Sequence, residues 1–266
     1  MKIENIFSVK DKIVLITGGS RGIGEMIASG FVANGAKVYI TARTKEVVIE
    51  TAQRLSKEFN GNCIGITSDI SNLSGIKNLV EEIKSREEAL DVLVNNAGTA
   101  WGGSLKDFPE VGWDKVMDLN VKSVFFLTQS LISLLEKSAS KNNPSSVINI
   151  GSIDGINKNT FKHYSYSAAK SAVHHLSRVL AAELVHKNIN VNVIAPGPFP
   201  SNMLGKAVSF DYSELEKRNP RGRVGSPEDI GGLAIFLASR AGAFTVGEVI
   251  TCDGGLIASA GHDLTS

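Results

Sequence analysis

Short apolar runs alternate with longer segments of helical period along almost the whole chain, and no other feature restricts its fold so strongly. The runs KIVLIT (12–17), AKVYITA (36–42), CIGITSD (63–69), DVLVNNAG (91–98), SVINIGS (146–152), INVNVIAPG (189–197) and EVITCDGG (248–255) have the length of strands. Their near-continuous apolarity suits strands covered on both faces, as in a parallel sheet. Helical periods fall between them at about 22–34, 45–58, 75–85, 111–118, 120–137, 165–187 and 226–239. The last opens with SPED, a Ser cap, a Pro at the first helical position and early acids. Strand–helix alternation of this kind predicts an α/β protein with helices on both faces of the sheet. At 266 residues, with no repeat or linker, the chain is expected to form one doubly wound domain over residues 1–266. Only 198–223 lacks clear periodicity; it suits a lid over a site or a plain surface excursion.

Composition removes several classes of function. A net charge of +1, with basic and acidic residues interspersed, gives no basic stripe for nucleic acid or an anionic membrane. The two cysteines, Cys63 and Cys252, have no metal-ligand spacing, so no metal is expected and a reducing compartment is the default. No apolar stretch reads as a signal peptide or a membrane span. A soluble, cytoplasmic protein is the expectation.

Between the first strand and the first helix stands TGGSRGIG (17–24). Glycines in such a turn let backbone N–H groups and a helix N-terminus approach an anion, and let the helix pack close to the strand. The spacing is TGxxxGxG rather than GxGxxG. Gly18, Ser20, Arg21, Gly22, Ile23 and Gly24 are therefore candidates to line a dinucleotide phosphate; a ligand-free glycine turn is the bland alternative. An acid ending the second strand would bond the adenosine ribose hydroxyls, but TART puts Ala42 and Arg43 there. Arg43, with Arg21, suits a 2′-phosphate, so NADP(H) is expected over NAD(H). Both arginines could instead be solvated surface charges.

In YSYSAAK (164–170) Tyr166 precedes Lys170 by four residues. On a helix the two project one turn apart along the same side, whereas Tyr164 falls elsewhere. An ammonium beside a phenol stabilises phenolate and lowers its pKa, which suggests acid–base chemistry. The same spacing also occurs on ordinary helices.

With TGGSRGIG, NNAG, NV after Asp118-Leu119, GS and YSAAK in this order, the chain resembles the short-chain dehydrogenase/reductase family from Lys10 to Gly255. It is most similar to 3-oxoacyl thioester reductases, in particular those linked to rhamnolipid metabolism, through NNAGTAWG, INIGS and NVIAPGPFPSNM. The resemblance implies a Rossmann sheet in the order 3-2-1-4-5-6-7 and a homotetramer. It implies Tyr166 as general acid, Lys170 lowering its pKa and bonding the nicotinamide ribose, and Ser152 holding the substrate carbonyl. Asn120 would fix a water joining Lys170 to solvent. Asp69 would meet the adenine with Ile70 beside it, and Asn96, Ala97 and Gly98 would lie along the adenosine-side ribose. The loop of Pro196, Gly197, Phe199 and Ser201 would face the nicotinamide amide, with Ser201 where the family usually has threonine. Ser152 and Tyr166 stand 14 residues apart, one more than the commonest family spacing, so the loop between them must absorb the excess.

The implied activity is NADPH-dependent reduction of a 3-oxoacyl thioester carried on acyl carrier protein or coenzyme A. The mixed charge of EKSASKNNPSS (136–146) and the weakly basic HKN (186–188) weigh against an acidic carrier as partner and leave a coenzyme A thioester as the alternative. A sugar, polyol or other secondary-alcohol dehydrogenase is the alternative, and a catalytically silent dinucleotide sensor a further one. His163 is read as solvated or substrate-facing, and His174 and His175 as packing or interface residues. Trp101 is read as an acyl-pocket wall or a packed aromatic, Trp113 as core, and Val121, Phe125, Leu131 and Leu135 as core or a dimer face.

Overall fold

The computed structural model describes residues 2–157, 162–200 and 212–260. Along these run α1 (Ile3–Ile6), β1 (Ile13–Thr17), α2 (Gly22–Ala33), β2 (Lys37–Ala42), α3 (Lys45–Glu58), β3 (Asn62–Thr67), α4 (Leu73–Arg86), β4 (Val92–Asn95) and α5 (Glu110–Met117). A π turn (Asp118–Lys122) leads into α6 (Ser123–Ser138). Then follow β5 (Ser145–Ile150), α7 (Tyr164–Leu184), β6 (Ile189–Pro196), α8 (Tyr212–Arg218), α9 (Pro227–Ala238) and β7 (Val249–Cys252). The strands form one seven-stranded sheet in the order β3-β2-β1-β4-β5-β6-β7, with every neighbouring pair parallel. The expected α/β class and strand order hold.

Alternation along β1 explains how one sheet carries two cores. Val14 and Ile16 pack on one face with Ile27 and Phe31 of α2, Val48 and Leu55 of α3, and Ile230 and Leu237 of α9. Leu15 points the other way, to Leu79 and Ile83 of α4, Leu127 and Leu131 of α6, and Leu184 of α7. Each fully buried Leu, Ile or Phe in these layers is worth about 1.5–3 kcal/mol. Both faces are thereby covered, and the C-terminal strand ends are left for function. From β1 the order runs outward to β3 on one side and through β4 to β7 on the other. That reversal opens a crevice beyond the ends of β1 and β4, where ligands of open α/β sheets sit.

Three expectations need correcting. DVLVNNAG is a strand only over Val92–Asn95, because Asn96 turns away to bond the glycine loop. The two helices expected over 111–137 are one run interrupted by the π turn, in which the Ser123 N–H bonds the Asp118 carbonyl five residues back. The 198–223 segment, read as irregular, contains α8; its residues 201–211 lie outside those described.

Candidate active site

The nucleotide side of the crevice is a backbone structure. Gly18 (φ +66°) and Gly22 (φ +57°) take left-handed conformations, which only glycine adopts without strain. A Cβ on Gly18 would lie 3.0 Å from the Ala97 Cα, and one on Gly24 would run into Asn96 Nδ2 and the Gly18 carbonyl oxygen. The turn after β1 and the turn after β4 thus touch main chain to main chain. Asn96 Nδ2 donates to the carbonyls of Thr17 (2.9 Å) and Gly18 (3.0 Å). Thr17 Oγ1 accepts the N–H groups of Asn96 (3.0 Å) and Ala97 (3.0 Å). Gly19 N–H bonds the Thr41 carbonyl at 3.1 Å, and Thr51 Oγ1 donates to the Ser20 carbonyl at 3.3 Å. Helix α2 starts with Arg21 at its N-cap and no side-chain capping bond, so its first-turn amides are uncapped by protein. Glycine turn, rigid floor and uncapped amides together fit a dinucleotide phosphate.

Around this cradle the expected contacts divide. Arg21 and Arg43 are both exposed, and among the described residues neither is in an ion pair. Asp69 is exposed beyond β3, its Oδ1 accepting the Ser71 N–H at 3.1 Å, while Ile70 is buried. Gly197 N–H donates to the Cys252 carbonyl at 3.0 Å, which pins the end of β6. The Phe199 side chain is buried in the core beside Gly225, so only its backbone remains for a ligand. Ser201 lies outside the described residues.

The opposite side is made of side chains. Tyr166 and Lys170 do lie one turn apart on α7, with Lys170 Nζ 5.5 Å from the phenol ring centroid. Lys170 is buried and donates to the Ile150 carbonyl at the end of β5, at 2.7 Å. Ser152, two residues on, is buried, and its Oγ accepts the Asp154 N–H at 3.1 Å. Burial presses the Lys170 pKa down to about 8 against the opposing pull of the Asp154 carboxylate. The Tyr166 phenol moves opposite to the expectation. Desolvation first and Asp154 second push it up to about 12, with the Ser152 hydroxyl pulling it down. With the protein's own groups alone, the ammonium, which donates to the Ile150 carbonyl, does not reverse this.

Asn120, in the π turn, spends its side chain on the scaffold. Its Nδ2 donates to the carbonyls of Thr99 (2.7 Å) and Val116 (2.9 Å), and its Oδ1 accepts the Thr99 N–H (3.2 Å). Both amide hydrogens are used, so any water it holds must be held by an oxygen. π turns recur at functional sites because the extra residue re-aims the backbone.

A buried amide network under the catalytic side escaped the sequence reading. Asn95 Nδ2 donates to Thr128 Oγ1 (3.1 Å) and Asn149 Oδ1 (2.8 Å), and Asn149 Nδ2 donates to Ser177 Oγ (2.8 Å). It joins β4, α6, β5 and α7; two asparagines inside otherwise apolar strands were the available signal. Asp154 was missed as well, although it stands two residues past Ser152. Trp113, expected in the core, is 41% exposed and lines an open cavity of about 320 Å³ with Leu105, Phe108, Pro109, Glu110 and Tyr164. Tyr164 packs edge-on against Phe108 at 5.6 Å, and Trp101 is pinned against Gly112 under Lys115. Val121 and Phe125 are partly exposed, whereas Leu131 and Leu135 are core. Among the described residues no His/Cys/Asp/Glu group could hold a metal, and no helix is long and apolar enough to cross a membrane.

A parallel sheet with a glycine-lined crevice and a Ser–Tyr–Lys cluster beside it defines the nucleotide-dependent oxidoreductase class. A family model described as enoyl-(acyl carrier protein) reductase matches residues 18–257, and the chain belongs to the short-chain dehydrogenase/reductase family. It is 50% identical over 252 residues to the rhamnolipids biosynthesis 3-oxoacyl-[acyl-carrier-protein] reductase of Pseudomonas aeruginosa, covering 94% of this chain and 97% of that protein. The Pseudomonas aeruginosa RhlG/NADP active-site complex superposes with a TM-score of 0.90 at 48% identity, over 94% of this chain and 98% of that one. The 2-dehydro-3-deoxy-D-gluconate 5-dehydrogenase of Dickeya dadantii is 36% identical over 259 residues, covering 96% of this chain and 99% of that protein.

Proposed function

We propose that this protein reduces a 3-oxoacyl thioester to the 3-hydroxyacyl form with NADPH, in the cytoplasm and as a homotetramer. The observation that carries the reading is the convergence of Ser152, Tyr166 and Lys170 on the strand ends that flank the glycine cradle. Half-identity to a 3-oxoacyl-[acyl-carrier-protein] reductase along nearly the full length supports the substrate class.

The amides and glycines of 18–24 would take the pyrophosphate, and Arg21 and Arg43 the 2′-phosphate. Asp69 and Ile70 would flank the adenine, Asn96, Ala97 and Gly98 the adjoining ribose, and Lys170 the second ribose. Pro196, Gly197, the Phe199 backbone and Ser201 would border the nicotinamide. When bound, that ring supplies the hydride.

The residues of this chain then handle the oxygen and the proton. Charge builds on the carbonyl oxygen as its carbon is reduced, and hydrogen-bond donors must already be aimed there. Ser152 can offer its hydroxyl hydrogen while its oxygen accepts the Asp154 N–H. Tyr166 hands over the proton that completes the alcohol. Its raised pKa of about 12 keeps the phenol protonated at neutral pH, which suits a proton donor in reduction. Lys170, largely charged below pH 8, stabilises the phenolate left behind. Reprotonation would run through a water held by an Asn120 oxygen.

Acetoacetyl-coenzyme A, an acyl-carrier-bound 3-oxoacyl substrate and a panel of keto-sugars, each tested with NADPH and NADH, decide the substrate. Turnover of the thioesters with NADPH is expected. Turnover confined to the keto-sugars would overturn the proposal in favour of the Dickeya-type activity, and turnover of neither would leave a dinucleotide-binding protein.

A further inference from the structure

We propose that His174 is a positioning residue: its neutral imidazole braces the Gly151–Gly155 turn and so fixes the direction of the Ser152 hydroxyl. The proposal rests on the role given to Ser152 above. His174 stands one helical turn beyond Lys170, so Tyr166, Lys170 and His174 form a single stripe on α7. The first two face the reacting centre, and the third passes behind it.

His174 is 4% exposed, and its Nε2 lies 3.4 Å from the Ser152 nitrogen, which donates to it. The Gly155 backbone faces the ring from the other side and opposes the depression of its pKa. Because it accepts the Ser152 N–H, Nε2 is the unprotonated nitrogen. The turn is moulded around the ring. A Cβ on Gly151 would collide with Nε2, and one on Gly155 would lie 2.7 Å from Cε1. Ser171 Oγ adds a bond to the Gly155 carbonyl at 3.0 Å. At the front of the same turn, the Ser152 oxygen accepts the Asp154 N–H. The serine is thus held behind through its N–H and in front through its oxygen, which turns the hydroxyl hydrogen toward the side where Tyr166 stands and the substrate oxygen would lie. Burial, then Lys170 and Arg178, depress the imidazole pKa to about 4, which keeps the acceptor in place at neutral pH. Any apolar side chain of similar size could fill the space, but it would leave the buried Ser152 N–H without an acceptor.

The experiment compares Ser152→Ala, His174→Leu, His174→Gln, His174→Asn and Ser152→Ala/His174→Leu in full-length protein. Reduction of acetoacetyl-coenzyme A, NADPH binding and thermal unfolding are measured for each. Loss of one transition-state donor is expected to cost Ser152→Ala about 100-fold in kcat. His174→Leu is expected to lose roughly 10- to 100-fold in kcat through misplacement of the hydroxyl, with NADPH affinity unchanged. The double variant should fall no further than Ser152→Ala alone. Gln, whose amide oxygen can stand in for Nε2, should recover most of the rate; Asn, too short to reach Ser152, should not. That pair carries the test if the leucine variant fails to fold. Multiplying losses in the double variant, wild-type kcat in His174→Leu, or equal rates for Gln and Asn would overturn the proposal. Wild-type turnover by Ser152→Ala would instead overturn the assignment of Ser152, and with it the need for a brace.

Discussion

The two sides of the crevice are built from different materials. Beyond β1 the groups offered to a ligand are main-chain amides, exposed by glycines and set on a floor that Asn96 and Thr17 tie together. Beyond β5 they are side chains, held from beneath by Ile150, His174 and the Asn95–Asn149–Ser177 chain. A backbone cradle tolerates changes in most side chains but not an added Cβ. A side-chain site fails through lost functional groups, and its scaffold can be altered only at the buried polar contacts. Affinity and turnover should therefore be separable by mutation.

The sharpest break between the sides is Tyr166→Phe. It should cut kcat by about 10²–10⁴-fold while leaving NADPH affinity within about twofold, as read by steady-state kinetics and cofactor titration. Next comes acid stability. His174 binds its proton near pH 4 when folded and near 6.5 when unfolded, so the unfolded chain protonates first as pH falls. Stability should drain away across that window, by about 3 kcal/mol relative to His174→Leu. Denaturant unfolding of both chains at pH 7 and pH 4 measures the difference, and a constant gap would count against a neutral buried imidazole.

On the cradle, Gly24→Ala should weaken NADPH by about 2 kcal/mol, roughly 30-fold in Kd, because the methyl meets Asn96 and the Gly18 carbonyl. The kcat at saturating cofactor should change little. Smallest is Arg43→Asp, expected to shift the NADPH-over-NADH preference by roughly tenfold, the value of one charge-assisted bond. An unchanged preference would leave Arg21 to carry the 2′-phosphate alone.

The difference in material also explains what could be read from the chain beforehand. The alternation of strands and helices, the glycine turn and the Tyr166–Lys170 register are local patterns, and all appear in the structure, as does the strand order that the family resemblance implied. What was lost depends on long-range packing. Nothing local shows that Asn96 bends away from β4 to bond Gly18, or that the Asn120 side chain is consumed by Thr99 and Val116. Trp113 lies on the outer side of α5, and it is Trp101 that packs against that helix at Gly112. The phenol's pKa was read from its neighbour in sequence, whereas desolvation and Asp154 outweigh that neighbour. His174 looked like packing because its partner, Ser152, lies 22 residues away.

The pH dependence of kcat/KM for reduction by the wild-type enzyme bears most directly on the claim that a buried phenol gives up a proton beside a charged lysine. With Lys170 losing its charge near pH 8 and Tyr166 protonated to about 12, the rate should be flat at neutral pH and fall as pH rises past 8. A rate that climbs through pH 8 would contradict the account, since the active form would then carry a neutral lysine.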